Sequence, residues 1–195
     1  MINNFENIKE FLDFHSDDVF YFIQVLKRRK DNPDMKTDVV VVREYFVDNI
    51  NYLEQKMPDI IDVCTKHNGR ATIRLNKRSY KKIATKMLID IAQKIDADQF
   101  KAVKSSFSSM AGTYPSEKNK TWFLDIDIED MDKIDFSALE EELNISSPTG
   151  EKILKKIPSK TGFHLLVKPF DARQFKNKFP FIDIKKDSPT NLFIP

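Results

Sequence analysis

The chain has 195 residues, of which 41% are hydrophobic and 32% charged, and its formal net charge is +2. This balance excludes a disordered chain and allows one compact domain or two small modules sharing a cleft. Cys64 is the only cysteine, which excludes an internal disulfide and a zinc site of several thiolates. Since no secretory signal and no membrane-spanning apolar run of ~20 residues are visible, we expect a cytoplasmic protein that does not contact a membrane.

Charge is unevenly distributed along the chain. Residues 70–104 hold ten Lys or Arg against three Asp, whereas residues 125–142 hold nine acids against one Lys. One surface is therefore expected to suit a polyanion and another to gather carboxylates. Two oppositely charged helical faces in solvent would produce the same distribution.

The first half of the chain predicts an N-terminal α/β module over residues 1–115. Its apolar periodicity predicts, in chain order, a helix over 4–15, a strand over 19–26, a helix over about 43–67, a strand over 70–75 and a helix over about 79–95. Val39 to Val42 fits either a short strand or the start of the next helix. Ser79 is expected to cap a helix, and the serine-rich residues 96–115 predict a loop or module boundary.

The second half predicts a second module over residues 116–195, and the two modules are expected to form one compact domain overall. The expected elements are a strand over 121–128, a helix around 136–143, a helical segment over 151–157, strands over 163–167 and 181–185, and an extended tail over 191–195. The fold class is therefore α+β, with a mixed or antiparallel sheet covered by helices.

Asp125 and Asp127 are the first candidates for chemistry. Residues two apart on a strand share a face, so these two carboxylates stand side by side while Leu124 and Ile126 face the core. Adjacent carboxylates stay ionised readily in solvent or beside a cation, and Mg²⁺ takes oxygen ligands. A half-exposed structural strand would show the same pattern, but Glu129 and Asp130 crowd further charge there.

Two more segments carry polar side chains among apolar ones. Ser159-Lys160-Thr161-Gly162-Phe163-His164 combines hydroxyls, a lysine and a glycine turn, which suit phosphate oxygens. Asp183 lies between Ile182 and Ile184, so it is expected on the polar side of a strand. A routine turn with a structural histidine, and a half-exposed strand, are the plainer interpretations of these segments.

The order of these motifs resembles the archaeo-eukaryotic primase superfamily, most closely the small primase-polymerases of phages and plasmids. A strand with hydrophobic-Asp-hydrophobic-Asp is followed by Ser-x-x-Gly-x-His and then by hydrophobic-Asp, all within residues 121–195. The tail 187–195 also looks like the stretch that closes such domains, while the first half matches only loosely.

The resemblance implies a role for each motif residue. Asp125, Asp127 and Asp183 would hold Mg²⁺ or Mn²⁺ as catalytic carboxylates, and His164, Ser159 and Lys160 would bind the nucleotide's phosphates. It further implies an RNA-recognition-like (RRM-like) catalytic module packed against the N-terminal module, with the active-site cleft between them. The substrates would be nucleoside triphosphates and a single-stranded DNA template. Since the chain has no Cys/His cluster and no helicase module, a separate helicase or other replication protein is an expected partner.

Basic residues of the first half are candidates for nucleic-acid binding, because Lys and Arg neutralise backbone phosphates. They are Arg28, Arg29, Lys30, Arg70, Arg74, Lys77 and Arg78. Solvated loops and a helix start would contain the same residues.

Two other functions fit the same residues. One is a nucleic-acid-binding replication module whose catalytic site is weak or vestigial. The other is a metal-dependent nuclease or phosphohydrolase, in which water replaces the 3′-hydroxyl as nucleophile.

Overall fold

The computed structural model describes residues 1–116 and 120–195, so residues 117–119, at the start of the expected second module, lie outside it. The elements before residue 117 are β1 (Ile2–Asn3), α1 (Phe5–Lys9), β2 (Val19–Arg28), β3 (Val39–Val47), α2 (Ile50–His67), β4 (Arg70–Ile73), β5 (Arg78–Ser79), α3 (Tyr80–Asp96) and α4 (Ser106–Thr113). The elements after residue 119 are β6 (Trp122–Asp127), α5 (Phe136–Ile145), β7 (Ile153–Ser159), β8 (Gly162–Val167), α6 (Ala172–Lys178), β9 (Asp183–Lys185) and β10 (Thr190–Ile194). The α+β class predicted from the sequence is confirmed.

The described strands form two antiparallel sheets. The first has the order β1-β10-β4-β2-β3, with β5 pairing the start of β2. The second has the order β7-β8-β6-β9 and is built from a β-α-β-β-α-β run of elements. Strand β10 follows this run in the chain but returns to the first sheet between β1 and β4, so the last strand crosses the expected boundary at residues 115 and 116.

The alternating pattern of β6 and β8 divides the second sheet into two faces. On one face, Leu124, Ile126 and Phe163 pack in a core that includes Leu139 of α5 and Phe175 of α6. The opposite face contributes its buried apolar residues to the core of the first sheet, and these are Phe123, Ile157 and Leu166. The polar residues on that second face therefore lie between the two sheets.

The long helix of the first half begins later than the sequence predicts. Residues 43–47 belong to strand β3, and α2 starts at Ile50, where the Asn49 side chain caps it by accepting from the Tyr52 N–H at 2.7 Å. Val39 to Val42 is therefore strand. In β3, Tyr45 and Val47 pack in one core while Phe46 packs in another on the opposite face, so both faces of the strand are used.

The helical segment expected over 151–157 is wrong, because residues 153–159 form strand β7. Ile153 and Ile157 are spaced four apart, which suits a helix face, but the segment pairs with β8 from Ile153 to Ser159, with one register shift between Ile153 and Lys155. Strand β7 lies at the sheet edge, where Pro158 is tolerated.

Three other boundaries differ from the expectations. Helix α1 covers only residues 5–9 of the expected 4–15, and β9 begins at Asp183, so this residue starts its strand instead of lying in the middle. The expected loop over 96–115 contains a 3₁₀ turn over Phe100–Ser105 and helix α4. Packing on the sheet, with Ala111 buried beside Phe22, overrides the weak helix propensity of serine and glycine.

Helix α3 is capped as expected, with the Ser79 hydroxyl accepting from the Lys82 N–H at 3.0 Å. Of its expected inward residues Ile83 is buried, but Leu88 is 67% exposed. Within the described ranges, no helix combines the length and apolar character that crossing a membrane requires.

Candidate active site

A row of three polar residues crosses the second sheet on the face that meets the first sheet. Asp125 of β6 lies directly opposite His164 of β8 on one side and opposite Asp183 of β9 on the other. Directly opposed residues on antiparallel strands have Cβ atoms ~5 Å apart, so residues from three distant parts of the chain become neighbours. Asp127, two residues further along β6, is on the same face.

His164 is held by partners on both sides of its ring. Its Nδ1 lies 2.6 Å from the Thr190 hydroxyl, and its Nε2 lies 3.4 Å from Asp125 Oδ1. The ring stacks on Phe123, with centroids 4.3 Å apart and an angle of 19° between the planes. The imidazole therefore has a fixed orientation, with Nε2 directed toward the carboxylate.

Asp125 is stabilised in its ionised form. The interaction with His164 lowers the pKa of Asp125; burial opposes this effect, and the charges of Lys185 and Arg28 reinforce it. The carboxylate therefore stays negative through the physiological pH range.

Asp127 is fixed by the turn that precedes β8. Its Oδ1 accepts a hydrogen bond from the Thr161 hydroxyl at 2.9 Å. Gly162, which follows Thr161 in the chain, has no room for a side chain. A Cβ atom there would lie 2.0 Å from the Ile126 carbonyl oxygen and 2.9 Å from the Asp127 Cα. The glycine of the Ser-x-x-Gly-x-His segment thus permits the close approach of β8 to β6 at Asp127.

Asp183 lies on the same face but is engaged elsewhere. Its Oδ2 accepts from Lys185 Nζ at 2.8 Å, and its side chain is 65% exposed. Across residues 1–116 and 120–195, no three His, Cys, Asp or Glu side chains are gathered in a metal-ligating arrangement. The donor types still fit a hard divalent cation, since carboxylates are its usual protein ligands and two of them border one cleft.

A cleft of about 490 Å³ lies between the two sheets and is lined by the motif residues other than Asp183. Residues from the second sheet and its turns line one part of it: Phe123, Asp125, Asp127, Ser159, Lys160, Thr161, His164 and Lys185. Residues from the first sheet, its loops and the segment around β10 line the rest: Leu26, Arg28, Lys30, Val39, Arg70, Thr72, Ser188, Pro189 and Asn191.

Some of the basic residues predicted from the sequence reach this cleft. Arg28, Lys30 and Arg70 line it together with Lys160. Arg29 lies beside them in a neighbouring depression, where it pairs with Asp38 at 2.6 Å. The cleft thus combines carboxylates on one sheet with cations from both.

The other predicted basic residues hold the fold. Arg78 is fully buried, where it donates to the Ala111 carbonyl at 2.7 Å and pairs with Asp187 at 2.9 Å. Arg74 pairs with Asp187 too, and Lys77, 5% exposed, pairs with Asp13 at 2.8 Å. These three side chains make internal contacts and do not line the cleft.

Several residues that line the cleft or support its lining were not singled out from the sequence. Asp31 accepts from Arg70 at 2.6 Å and from Lys160 at 2.7 Å, while Thr190 contacts His164 and Lys185 contacts Asp183. Asp31 and Thr190 are remote from the motifs in the chain, so no local pattern marks them. Lys185 could have been found, because it lies two residues from Asp183 and thus on the same strand face.

Comparison of this chain with protein-family models, with curated proteins and with solved structures found no match.

Proposed function

We propose that this protein is a template-dependent nucleotidyltransferase, a DNA primase or polymerase that joins nucleotides in DNA replication. The observation that carries the proposal is the row formed by Asp125, His164 and Asp183 on one sheet face, with Asp127 beside it. Asp125, Asp127 and His164 line a cleft whose other side contains basic residues suited to phosphates, and Asp183 lies beside Asp125 outside that lining.

The connectivity of the second sheet supports an RRM-like catalytic module. Its β-α-β-β-α-β run of elements and its strand order are those of the split βαβ arrangement, to which four-stranded RRM sheets belong. In the proposal, the sheet face without helical cover is the catalytic one, because it carries the acids and the histidine.

Asp125, Asp127 and Asp183 would hold Mg²⁺ or Mn²⁺. When bound, such ions make a 3′-hydroxyl more acidic and offset the charge that develops on a triphosphate as pyrophosphate leaves. Thr161 keeps the Asp127 carboxylate oriented, and Asp183 can join the set once its ion pair with Lys185 is exchanged.

His164 would donate from Nε2 to a phosphate oxygen of the incoming nucleotide. The hydroxyl of Thr190 can donate to Nδ1, which leaves the proton of a neutral imidazole on Nε2, facing Asp125 and the cleft. Ser159 and Lys160 line the same part of the cleft and add a hydroxyl and a cation for the triphosphate.

Arg28, Lys30 and Arg70 would contact the phosphates of a single-stranded DNA template, with Arg29 at the margin. A separate helicase or other replication protein would be a partner, and the protein would act in the cytoplasm. Cys64 is buried, and burial raises the pKa of its thiol to about 12. A structural thiol of this kind agrees with a reducing compartment.

The test is incorporation of a labelled nucleotide on a primed DNA template with Mn²⁺. We expect wild type to extend the primer, and Asp127→Ala and His164→Ala to lose about 100-fold or more of this activity. The matched control is Asp132→Ala, which removes an exposed acid from the same acidic segment but away from the cleft lining. Circular dichroism checks the fold of each variant.

Other results of this experiment would assign the other functions. Degradation of the DNA without any nucleotide requirement would indicate a metal-dependent nuclease. Retention of DNA binding without any extension would indicate a nucleic-acid-binding replication module. Equal extension by wild type and Asp127→Ala would reject the proposed site.

A further inference from the structure

Asp31 links the two halves of the molecule at the wall of the cleft. It follows β2 in the N-terminal half, and its Oδ1 accepts from Arg70 Nη2 at 2.6 Å and from Lys160 Nζ at 2.7 Å. Arg70 begins β4 of the first sheet, whereas Lys160 lies in the turn between β7 and β8 of the second. A single carboxylate oxygen thus joins two cations that both line the cleft.

The backbone of Asp31 is held by two hydrogen bonds. The backbone N–H of Asp31 donates to the Arg28 carbonyl at 2.9 Å, and its own carbonyl accepts from the Asn68 side chain at 2.9 Å. Its side chain is 7% exposed, and Asp31 itself is not among the residues that line the cleft. Asp31 is therefore a fixed support for the cleft wall.

The stability of the fold does not account for this arrangement. Asp31 Oδ2 and Arg70 Nε are both buried without a hydrogen-bond partner among the described residues. A buried ion pair with unsatisfied donors and acceptors adds little net stability relative to apolar residues in its place, although the ionised form of Asp31 is favoured over the protonated form in the folded protein.

Lys160 keeps the capacity to bind a ligand while Asp31 holds it. An ammonium group has three N–H donors, and one of them suffices for the contact with Asp31. The Lys160 side chain is 53% exposed and lies in the turn with Thr161, next to Ser159 at the end of β7. The remaining donors can therefore face a phosphate in the cleft.

We propose that Asp31 is a positioning residue, which holds Lys160 and Arg70 in place as a phosphate-binding subsite spanning the two sheets. The subsite would take a phosphate group, supplied either by a nucleoside triphosphate or by a polynucleotide backbone. This inference rests on the proposed function for the identity of these ligands, and it adds a residue that itself does not contact them. Holding the cations in advance reduces the entropy lost when the ligand binds.

The direction in which Asp31→Asn changes ligand affinity distinguishes a positioning role for Asp31 from an effect of its charge alone. Removing a negative charge beside a phosphate site should tighten binding if only charge matters. If Asp31 positions the cations, Asp31→Asn instead weakens binding, because Lys160 loses its fixed partner. We expect the affinity for deoxyadenosine triphosphate with Mg²⁺, measured by isothermal titration calorimetry, to fall about tenfold.

Two controls accompany this variant. Asp38→Asn removes the same charge from the same loop, but Asp38 pairs with Arg29 and is 80% exposed, so we expect affinity within about twofold of wild type. In a Lys160→Ala background, Asp31→Asn should cause a clearly smaller loss than in wild type, because only its contact with Arg70 remains to be broken. A merely structural role would leave the loss unchanged in that background.

The outcomes distinguish this inference from the proposed function. A parallel titration with single-stranded oligo(dT) assigns the subsite to the incoming nucleotide or to the template, according to which ligand loses affinity. Binding by Asp31→Asn as tight as wild type, or tighter, would overturn the inference alone. Failure of wild type to bind either ligand would overturn the proposed function as well.

A measurement on wild type covers the case in which Asp31→Asn does not fold. The Lys160 ammonium group, assigned by NMR with the Lys160→Arg variant, should exchange its protons slowly in the free protein and shift when the triphosphate is added. Rapid exchange like that of exposed lysines would contradict a fixed contact with Asp31.

Discussion

Individual side chains at the cleft are held by partners that come from distant parts of the chain. Thr190 orients His164, Thr161 orients Asp127, and Asp31 joins Lys160 to Arg70. Each of these contacts restrains a side chain that lines the cleft. In the proposed function these side chains are oriented before the nucleotide binds, whereas the Asp183 carboxylate is paired with Lys185.

The ion pairs of Asp31 are expected to make the stability of the fold depend on pH. Burial raises the pKa of its carboxyl, but the bonds from Arg70 and Lys160 outweigh burial and lower the pKa to about 2. Because the folded pKa lies below the ordinary value, the ionised carboxylate stabilises the fold above pH ~4, and this contribution is lost as the pH falls toward 2. Between these pH values we expect the free energy of unfolding to fall more in wild type than in Asp31→Asn, and the difference between the two losses should be about 2 kcal/mol.

Urea unfolding of both proteins at about pH 5 and at about pH 2.5 measures this difference. Other carboxylates titrate in both proteins, so the comparison isolates Asp31. A pH dependence identical in wild type and Asp31→Asn would show that the ion pairs do not favour the ionised form.

At the scale of elements, the approach of β8 to β6 depends on Gly162. In Gly162→Ala the new methyl group meets the Ile126 carbonyl, so the strands must separate where Asp127 and Thr161 are joined. We expect a loss of about 2–3 kcal/mol in the free energy of unfolding, together with a loss of nucleotide incorporation. Chemical denaturation and the primer-extension assay measure the two effects.

Gly112→Ala is the matched control, because it adds the same methyl group in helix α4, where the nearest atoms lie 3.9 Å away. We expect this variant to be neutral or slightly more stable than wild type, since alanine favours a helix over glycine. Equal stability of the two variants would contradict the steric explanation.

The elements that the sequence predicted correctly are those whose local pattern and final environment agree. Strand β6 alternates apolar and acidic residues from Leu124 to Asp127. Its apolar residues pack in the helix-covered core, and its acidic residues lie on the opposite face of the sheet. Residues 153–157 and 43–47 instead contain apolar spacings that fit a helix as well as a strand. Pairing with β8 makes residues 153–157 a strand, and pairing with β2 does the same for residues 43–47. The sequence of one segment does not show which strand it will pair with.

At the scale of the whole molecule, the last strand unites the two halves. Strand β10 lies between β1 and β4, and its buried residues Leu192 and Phe193 share one core with Phe123 and Leu166 of the second sheet. Separate folding of residues 1–115 and 116–195 is therefore disfavoured, because each half would expose apolar surface that the other covers.

Removing β10 tests this dependence. In a chain ending at Pro189, β1 loses its partner and β4 loses one of its two neighbours, so we expect no cooperative thermal unfolding by circular dichroism. The control lacks only Pro195, which is exposed and follows β10, and it should unfold as wild type does. Cooperative unfolding of the shorter chain would show that β10 is dispensable.

The sequence by itself determined the α+β class, the shared face of Asp125 and Asp127, and the cap at Ser79, because alternation and capping are local properties. It also marked His164 and Asp183 as polar residues among apolar ones. Only the tertiary structure decided that these residues meet Asp125 in one row, that Arg78 is buried, and that Asp31 supports Lys160. These relations depend on strand order and packing between segments far apart in the chain, and no short-range spacing contains that information.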